Sequence, residues 1–167
     1  MTQWKKGWSR LLVLLAAVLS TQGVLASDWK NYDAKAYGFA MLVPDGAAVA
    51  EREWGGGWGG IYAAFEGVKL YGRARLGEKE SDADIERYGV GVIGIPASQW
   101  TMIDSGAGHN GWGRYRTFSA ASGGRLFFGG YGVGPKGNYL LYMETTAADF
   151  NEHKSDYTKW YESIRLE

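Results

Sequence analysis

The side chains best suited to meet a ligand fall in three short stretches. The first, EWGGGWGGIYAAF from Glu53 to Phe65, sets Trp54 and Trp58 among five glycines ahead of an apolar run. In VKLYGRARL, the side chains of Lys69, Tyr71, Arg73 and Arg75 share one parity, and in WGRYRTFSAA so do Trp112, Arg114 and Arg116. Alternate residues of a strand point to one face. Lys69, Arg73, Arg75, Arg114 and Arg116 therefore read as an anion-binding stripe beside Tyr71 and Trp112. Indole rings add flat surface on which a sugar ring or a peptide side chain can stack. Each reading has a structural alternative. Trp54 and Trp58 can be core side chains closing over glycine, and the basic residues a solvated sheet face paired with Glu53, Glu66 or helix carboxylates.

Catalytic chemistry finds no coherent set of residues. Only His109 and His153 can serve as bases near neutral pH, and neither lies in a local nucleophile motif. Asp82, Asp84 and Glu86 alternate as at the start of a calcium loop, but Arg87 stands where that loop needs glycine. Negative charge in the first turn of a helix accounts for them better. With no cysteine in the chain, thiolate metal sites and disulfides are excluded. Four segments, GGGWGG, GVGVIG, GAGHNG and GVGPKG, satisfy G-x-G-x-x-G, yet none has the strand before and helix after that dinucleotide binding requires. Turns and bulges explain them. The expectation is a protein without catalytic residues, metal or cofactor. The alternatives are a metal site built from the two histidines and a carboxylate, and a hydrolase using His109 with an acid such as Asp104.

The elements that must position these residues follow a simple course. Residues 1–26 place Lys5, Lys6 and Arg10 ahead of an apolar run from Leu11 to Leu19, with Val24 and Ala26 at the spacing signal peptidase accepts. This reads as a secretory signal peptide cleaved after Ala26, leaving residues 27–167 as a single domain in a bacterial periplasm or outside the cell. The run is shorter than the roughly 20 residues of a membrane span, so no span is expected after cleavage. Three of the 18 basic side chains precede residue 27, whereas all 18 acidic ones follow it, which gives the remainder a formal charge of −3. Nucleic acid is an unsuitable partner for such a surface.

After a polar lead, SDWKNYDAKA, the segment YGFAMLVPDG reads as a first strand, stopped by Pro44 and turned by Asp45 and Gly46. AVAEREW, GGIYAAFEG and VKLYGRARL read as further strands. Ser81 and Asp84 open a helix with Ile85, Tyr88 and Val92 on one face, kept short by Gly89, Gly91, Gly94 and Pro96. WTMIDSG, WGRYRTFSAA, RLFFGGYGV and NYLLYMETT return to strand patterns. The last two are apolar on both parities and call for cover on both faces, and GVGPKGN links them as a hairpin. Thr146 and Asp149 start a terminal helix whose Phe150, Tyr157, Tyr161 and Ile164, with Trp160, face the sheet.

The Y-G-F-x-x-x-x-P-x-G strand at Tyr37 to Gly46 and the closing W-Y-E-S-I-R-L resemble the PsbP-like superfamily, which includes the PsbP, MOG and DcrB types. The resemblance implies an α+β fold, an antiparallel β-sheet flanked by helices in an α-β-α sandwich, and a family whose members mostly bind proteins. Ala47 replaces the tryptophan common after P-x-G, and without a lipobox cysteine a DcrB-type anchor is not implied. The expected function is an exported, noncatalytic binding or scaffold domain that recognises an envelope protein. A cell-wall carbohydrate binder is the alternative, through Trp54, Trp58, Trp112 and the tyrosines. If neither the tryptophans nor the arginines take part, the loops at Gly106–Gly111 or Gly134–Asn138 are the next candidates for docking.

Overall fold

The computed structural model describes residues 28–167, so the signal peptide and its cleavage site lie outside the described residues. The strands are β1 (Trp29–Ala34), β2 (Phe39–Pro44), β3 (Ala48–Gly55), β4 (Trp58–Phe65) and β5 (Val68–Leu76). Helix α1 (Asp82–Ile93) follows, then β6 (Thr101–Gly106), β7 (Arg114–Ser122), β8 (Arg125–Val133), β9 (Gly137–Thr146), helix α2 (Ala147–Ser163) and β10 (Arg165–Leu166). Seven strands form an antiparallel sheet in the order β3-β4-β5-β9-β8-β7-β6, and β1-β2-β10 form a small second sheet. The polar lead is therefore a strand. Its side chains carry little apolar alternation, and its place is fixed by antiparallel pairing of Trp29–Ala34 with Phe39–Pro44. The final Arg165–Leu166 pairs with the other edge of β2.

Parity divides the large sheet into two cores. Val68, Leu70 and Ala74 of β5, Phe128 of β8 and Tyr139, Leu141 and Met143 of β9 point one way. There they meet Phe39, Met41 and Val43 of the small sheet and Tyr157 and Trp160 of α2. Phe127, Tyr131, Leu140 and Tyr142 point the other way, toward α1 and the segment around Trp100, which packs against Ile85, Ile93 and Phe118. The doubly apolar β8 and β9 are thus covered on both faces, as their sequence demands.

Both helix starts follow from their caps. The Asp84 amide donates to the Ser81 hydroxyl at 3.2 Å, and the Asp149 amide donates to the Thr146 hydroxyl at 3.1 Å. Such caps satisfy backbone donors that the first turn leaves free. α1 runs on through Gly89 despite the glycine's helix penalty, and a side chain is excluded there because a methyl group would lie 2.8 Å from the Trp100 ring. In α2, Tyr157 and Trp160 are completely buried, Phe150 and Tyr161 pack at the margin, and Ile164 is buried just past the last turn. His153 lies along this helix, at a residue with non-helical angles, with Nε2 3.8 Å from Asp149.

Candidate functional site

The glycine-rich stretch forms the β3–β4 hairpin. Gly55, Gly56 and Gly57 all take positive φ, near 83°, 60° and 80°, a run that side-chain-bearing residues avoid. The tight turn sends the two tryptophans to different environments. Trp58 is 3% exposed and stacks on Tyr88 of α1, ring centroids 4.0 Å apart and nearly parallel. Trp54 is half-buried, and its ring covers the guanidinium of Arg73 at 4.1 Å. Trp58 is therefore a core side chain, and Trp54 is the tryptophan that faces an opening.

That opening is a cavity of about 370 Å3 lined by Arg52, Trp54, Tyr62, Tyr71 and Arg73. Antiparallel pairing places Tyr62 opposite Tyr71 and Arg52 opposite Gly60, so the residues come from three adjacent strands on one face. Arg52 lies over the Tyr62 ring at 5.6 Å, and Tyr71 stacks on Tyr142 at 4.7 Å. Arg73 is 6% exposed, where the strand alternation predicts a half-exposed face. Its Nη1 donates to the Tyr88 hydroxyl at 2.9 Å, whereas its buried Nε has no partner. Burial pushes the Tyr88 hydroxyl above its ordinary pKa, against the opposing pull of Arg73.

The other basic residues of the stripe are neutralised. Lys69 lies 3.4 Å from Glu144, which Arg125 also contacts at 2.6 Å. Arg75 pairs with Glu80. Arg114 and Arg116 share Asp82, at 2.6 and 3.1 Å, and Arg114 also donates to the Glu80 carbonyl. Partial burial raises the Asp82 pKa, but hydrogen bonds from the two guanidinium groups outweigh it and hold the carboxyl below its usual range. These pairs tie the start of α1 to β7 and the segment before it to β5. Trp112 is 4% exposed and belongs to the opposite face. Of the eight candidates, the structure brings Trp54, Tyr71 and Arg73 together and sends Arg75, Arg114 and Arg116 to the start of α1.

A second opening lies where Trp112 sits. A groove of about 560 Å3 runs between α2 and strands β6 and β7. Trp112, Leu126, Phe128 and Ile164 are among its apolar lining, with Phe150 and Tyr161 from α2 and Ile103 and Tyr115 from the sheet. Tyr161 receives a hydrogen bond from Thr117 at 2.8 Å, and burial raises its hydroxyl pKa to about 12. His109 and Asp104 both line this groove. The Asp104 carboxylate is engaged by the Tyr115 hydroxyl at 3.1 Å, a bond that raises the tyrosine's pKa. Thr117 and Ser119 line the same groove, with the Thr117 hydroxyl committed to Tyr161. No group of three or more metal-binding side chains occurs among the described residues.

Sequence alone did not point to Arg52 and Tyr62 in the cleft, or to Ile103, Tyr115, Phe150 and Lys154 in the groove. Arg52 and Trp54 share a parity that was readable in AVAEREW. What was missing was the strand register that sets them beside Tyr62.

No family model matches the chain, and no curated protein matches it either. Among solved structures, the solution structure of cyanobacterial PsbP (CyanoP) from Synechocystis sp. PCC 6803 is similar, with a TM-score of 0.58 and 16% identity. The match covers 90% of this chain and 99% of that one. The chain thus has a PsbP-like α+β fold.

Proposed function

We propose that this protein is an exported, noncatalytic binding domain that recognises a protein partner in the bacterial envelope through the β6 edge. One observation carries the reading: β6 is an edge strand exposed along all six residues and bordering an apolar groove. Of the three large apolar side chains that stand out in solvent among the described residues, two, Met102 and Ile103, belong to it. An unpaired strand edge offers backbone donors and acceptors to an incoming strand, and pockets beside it select side chains. The register shift between Met102 and Asp104 interrupts the ladder with β7 at Ile103, an exposed side chain on the rim of the groove, and bulges are places where strands re-aim side chains. Export rests on the order of basic, apolar and small residues in 1–26.

The test is cross-linked capture from envelope extract with the natural, full-length gene product carrying a C-terminal tag, beside an Ile103→Lys variant. One stoichiometric protein should be recovered by the wild type and lost with the variant. In the recovered complex, the amides of Thr101–Gly106 should become protected from hydrogen exchange. Recovery of the same protein by both forms, with β6 unprotected, overturns docking at this edge. Retention on peptidoglycan with no protein recovered favours the carbohydrate alternative.

A further inference from the structure

Two cations of the large sheet, Arg52 and Arg73, have no carboxylate partner among the described residues, and of these Arg52 is exposed whereas Arg73 is buried. Lys69, Arg75, Arg114, Arg116 and Arg125 each have a carboxylate within 3.4 Å. Among the described residues no carboxylate lies within 4.0 Å of Arg73, although it is the most buried of the set. A guanidinium keeps its charge at any pH a protein survives, and a buried charge is costly unless it is paired and its donors are satisfied. Four aromatic rings surround this one, with Trp54 at 4.1 Å, Tyr71 at 5.4 Å and Tyr88 and Tyr142 at 5.9 Å. Their faces offset part of the cost. They do not accept the Nε hydrogen, which remains without a partner.

The surroundings supply what an anion would need. The cavity that Arg73 lines holds a second cation, Arg52, and no acidic side chain. Trp54, Tyr62 and Tyr71 give it flat walls. Trp54, the ring that covers the guanidinium, is attached directly to the Gly55–Gly57 turn, where even an added side-chain carbon at Gly55 would meet nothing within 4 Å. Trp54 packs against the second core only as a half-buried side chain at its margin.

We propose that this cleft is a binding site for a compact organic anion, a carboxylate carried on a ring, with Arg73 as the residue that receives the carboxylate. The carboxylate takes the unpartnered Nε–H and a neighbouring Nη–H as a two-point contact, the geometry in which guanidinium excels. Arg52 adds charge at the mouth. Trp54 shifts off Arg73 and, with Tyr62, stacks on the ring of the ligand. Both an acidic sugar and an aromatic acid have this chemistry. The site is independent of protein docking at β6, which lies on the far edge of the sheet.

The probes are glucuronate and benzoate, with glucose as the neutral control, titrated into the 15N-labelled wild-type protein and read by NMR at the arginine Nε–H signals. Saturable displacement of the Arg73 signal by glucuronate or benzoate, with Arg75, Arg114 and Arg116 unmoved and no response to glucose, is the expected result. Which of the two acids acts identifies the source as sugar or aromatic acid. Arg73→Lys should weaken the binding by on the order of tenfold, the cost of one charge-assisted hydrogen bond. The proposal is overturned if neither acid moves the Arg73 signal, if all arginines respond alike, or if glucose acts as well as glucuronate. Because the principal readout is on the wild type, a variant that fails to fold does not obscure the answer.

Discussion

The two openings of the seven-stranded sheet lie on opposite faces and toward opposite edges, and their linings differ in kind. The groove beside β6 and β7 is walled by α2 and floored by Trp112, Leu126 and Phe128, with its polar groups along the sides. The cleft over β3, β4 and β5 is made of two arginines and three aromatic rings, with no aliphatic side chain in its lining. The difference follows from cover. α2 and the small sheet seal most of one face with apolar side chains and stop short of the β6 edge. α1 lies over β8 and β9 on the other face and meets β5 at Tyr88, whose hydroxyl takes a hydrogen bond from Arg73. Where a helix seals the sheet, aliphatic and aromatic packing dominates. Where it does not, the sheet carries long amphipathic side chains that protect themselves by stacking.

The largest test of this contrast is to empty the sealed regions. Trp160 of α2 is completely buried, and Trp58 on the other face is 3% exposed and stacked on Tyr88. Trp160→Ala and Trp58→Ala should each lower stability by about 3–5 kcal/mol, the usual cost of vacating a buried aromatic site. Urea denaturation measures both. A midpoint unchanged for Trp160→Ala would mean that α2 does not seal its face, and the distinction between the two openings would fail.

A smaller effect probes the paired cations. Asp82 gathers Arg114 and Arg116 at the start of α1, and it is only partly exposed. Asp82→Asn should cost about 1–2 kcal/mol, as expected for charge-assisted bonds that water partly screens. The folded carboxyl has a depressed pKa, so its contribution is complete above the unfolded value, about 4. It is lost as pH falls through the lower folded value. The stability difference between wild type and Asp82→Asn should therefore shrink below about pH 4. A difference that persists into stronger acid would show that the ion pairs are not its source.

The readable parts of the fold were those set by neighbouring residues. The Ser81 and Thr146 caps, the β8–β9 hairpin and the double burial of RLFFGGYGV and NYLLYMETT depend on local spacing, and the structure has all of them. β1 was not readable because its side chains carry little apolar alternation, although it pairs with the next strand, Ala34 opposite Phe39; β10 was not readable because its partner is distant, Arg165 opposite Ala40. The candidate site was legible in the same partial way. Parity placed Tyr71, Arg73 and Arg75 on one face correctly, but charge pairing depends on which helix carboxylate folds over which arginine. Glu80 and Asp82 reach Arg75, Arg114 and Arg116 and leave Arg73 to the rings. The separation of Trp54 from Trp58, four residues apart, came from three consecutive positive-φ glycines whose turn geometry a list of residues does not specify.

That separation supports the smallest and most discriminating prediction. Trp54 and Trp58 belong to one hairpin and face the same side of the sheet, yet one is stacked in the core and the other rests on a guanidinium at the rim. Removing Trp54 takes away a cation–π contact of about 0.5–1 kcal/mol and little packed volume, since the ring is half-buried. Trp54→Ala should therefore cost no more than about 1 kcal/mol, well below the loss expected for Trp58→Ala, while the Arg73 Nε–H exchanges faster with solvent. Urea midpoints and NMR exchange rates read the two effects separately. Equal destabilisation by the two substitutions would make the cleft an extension of the core, with no opening for a ligand. Unchanged stability together with unchanged exchange would mean that Trp54 does not rest on Arg73 in solution. Only the combination of small cost and faster exchange fits a ring that covers Arg73 and can lift from it, and that combination ties the mobility of one tryptophan to the buried cation of the sheet that has no carboxylate partner among the described residues.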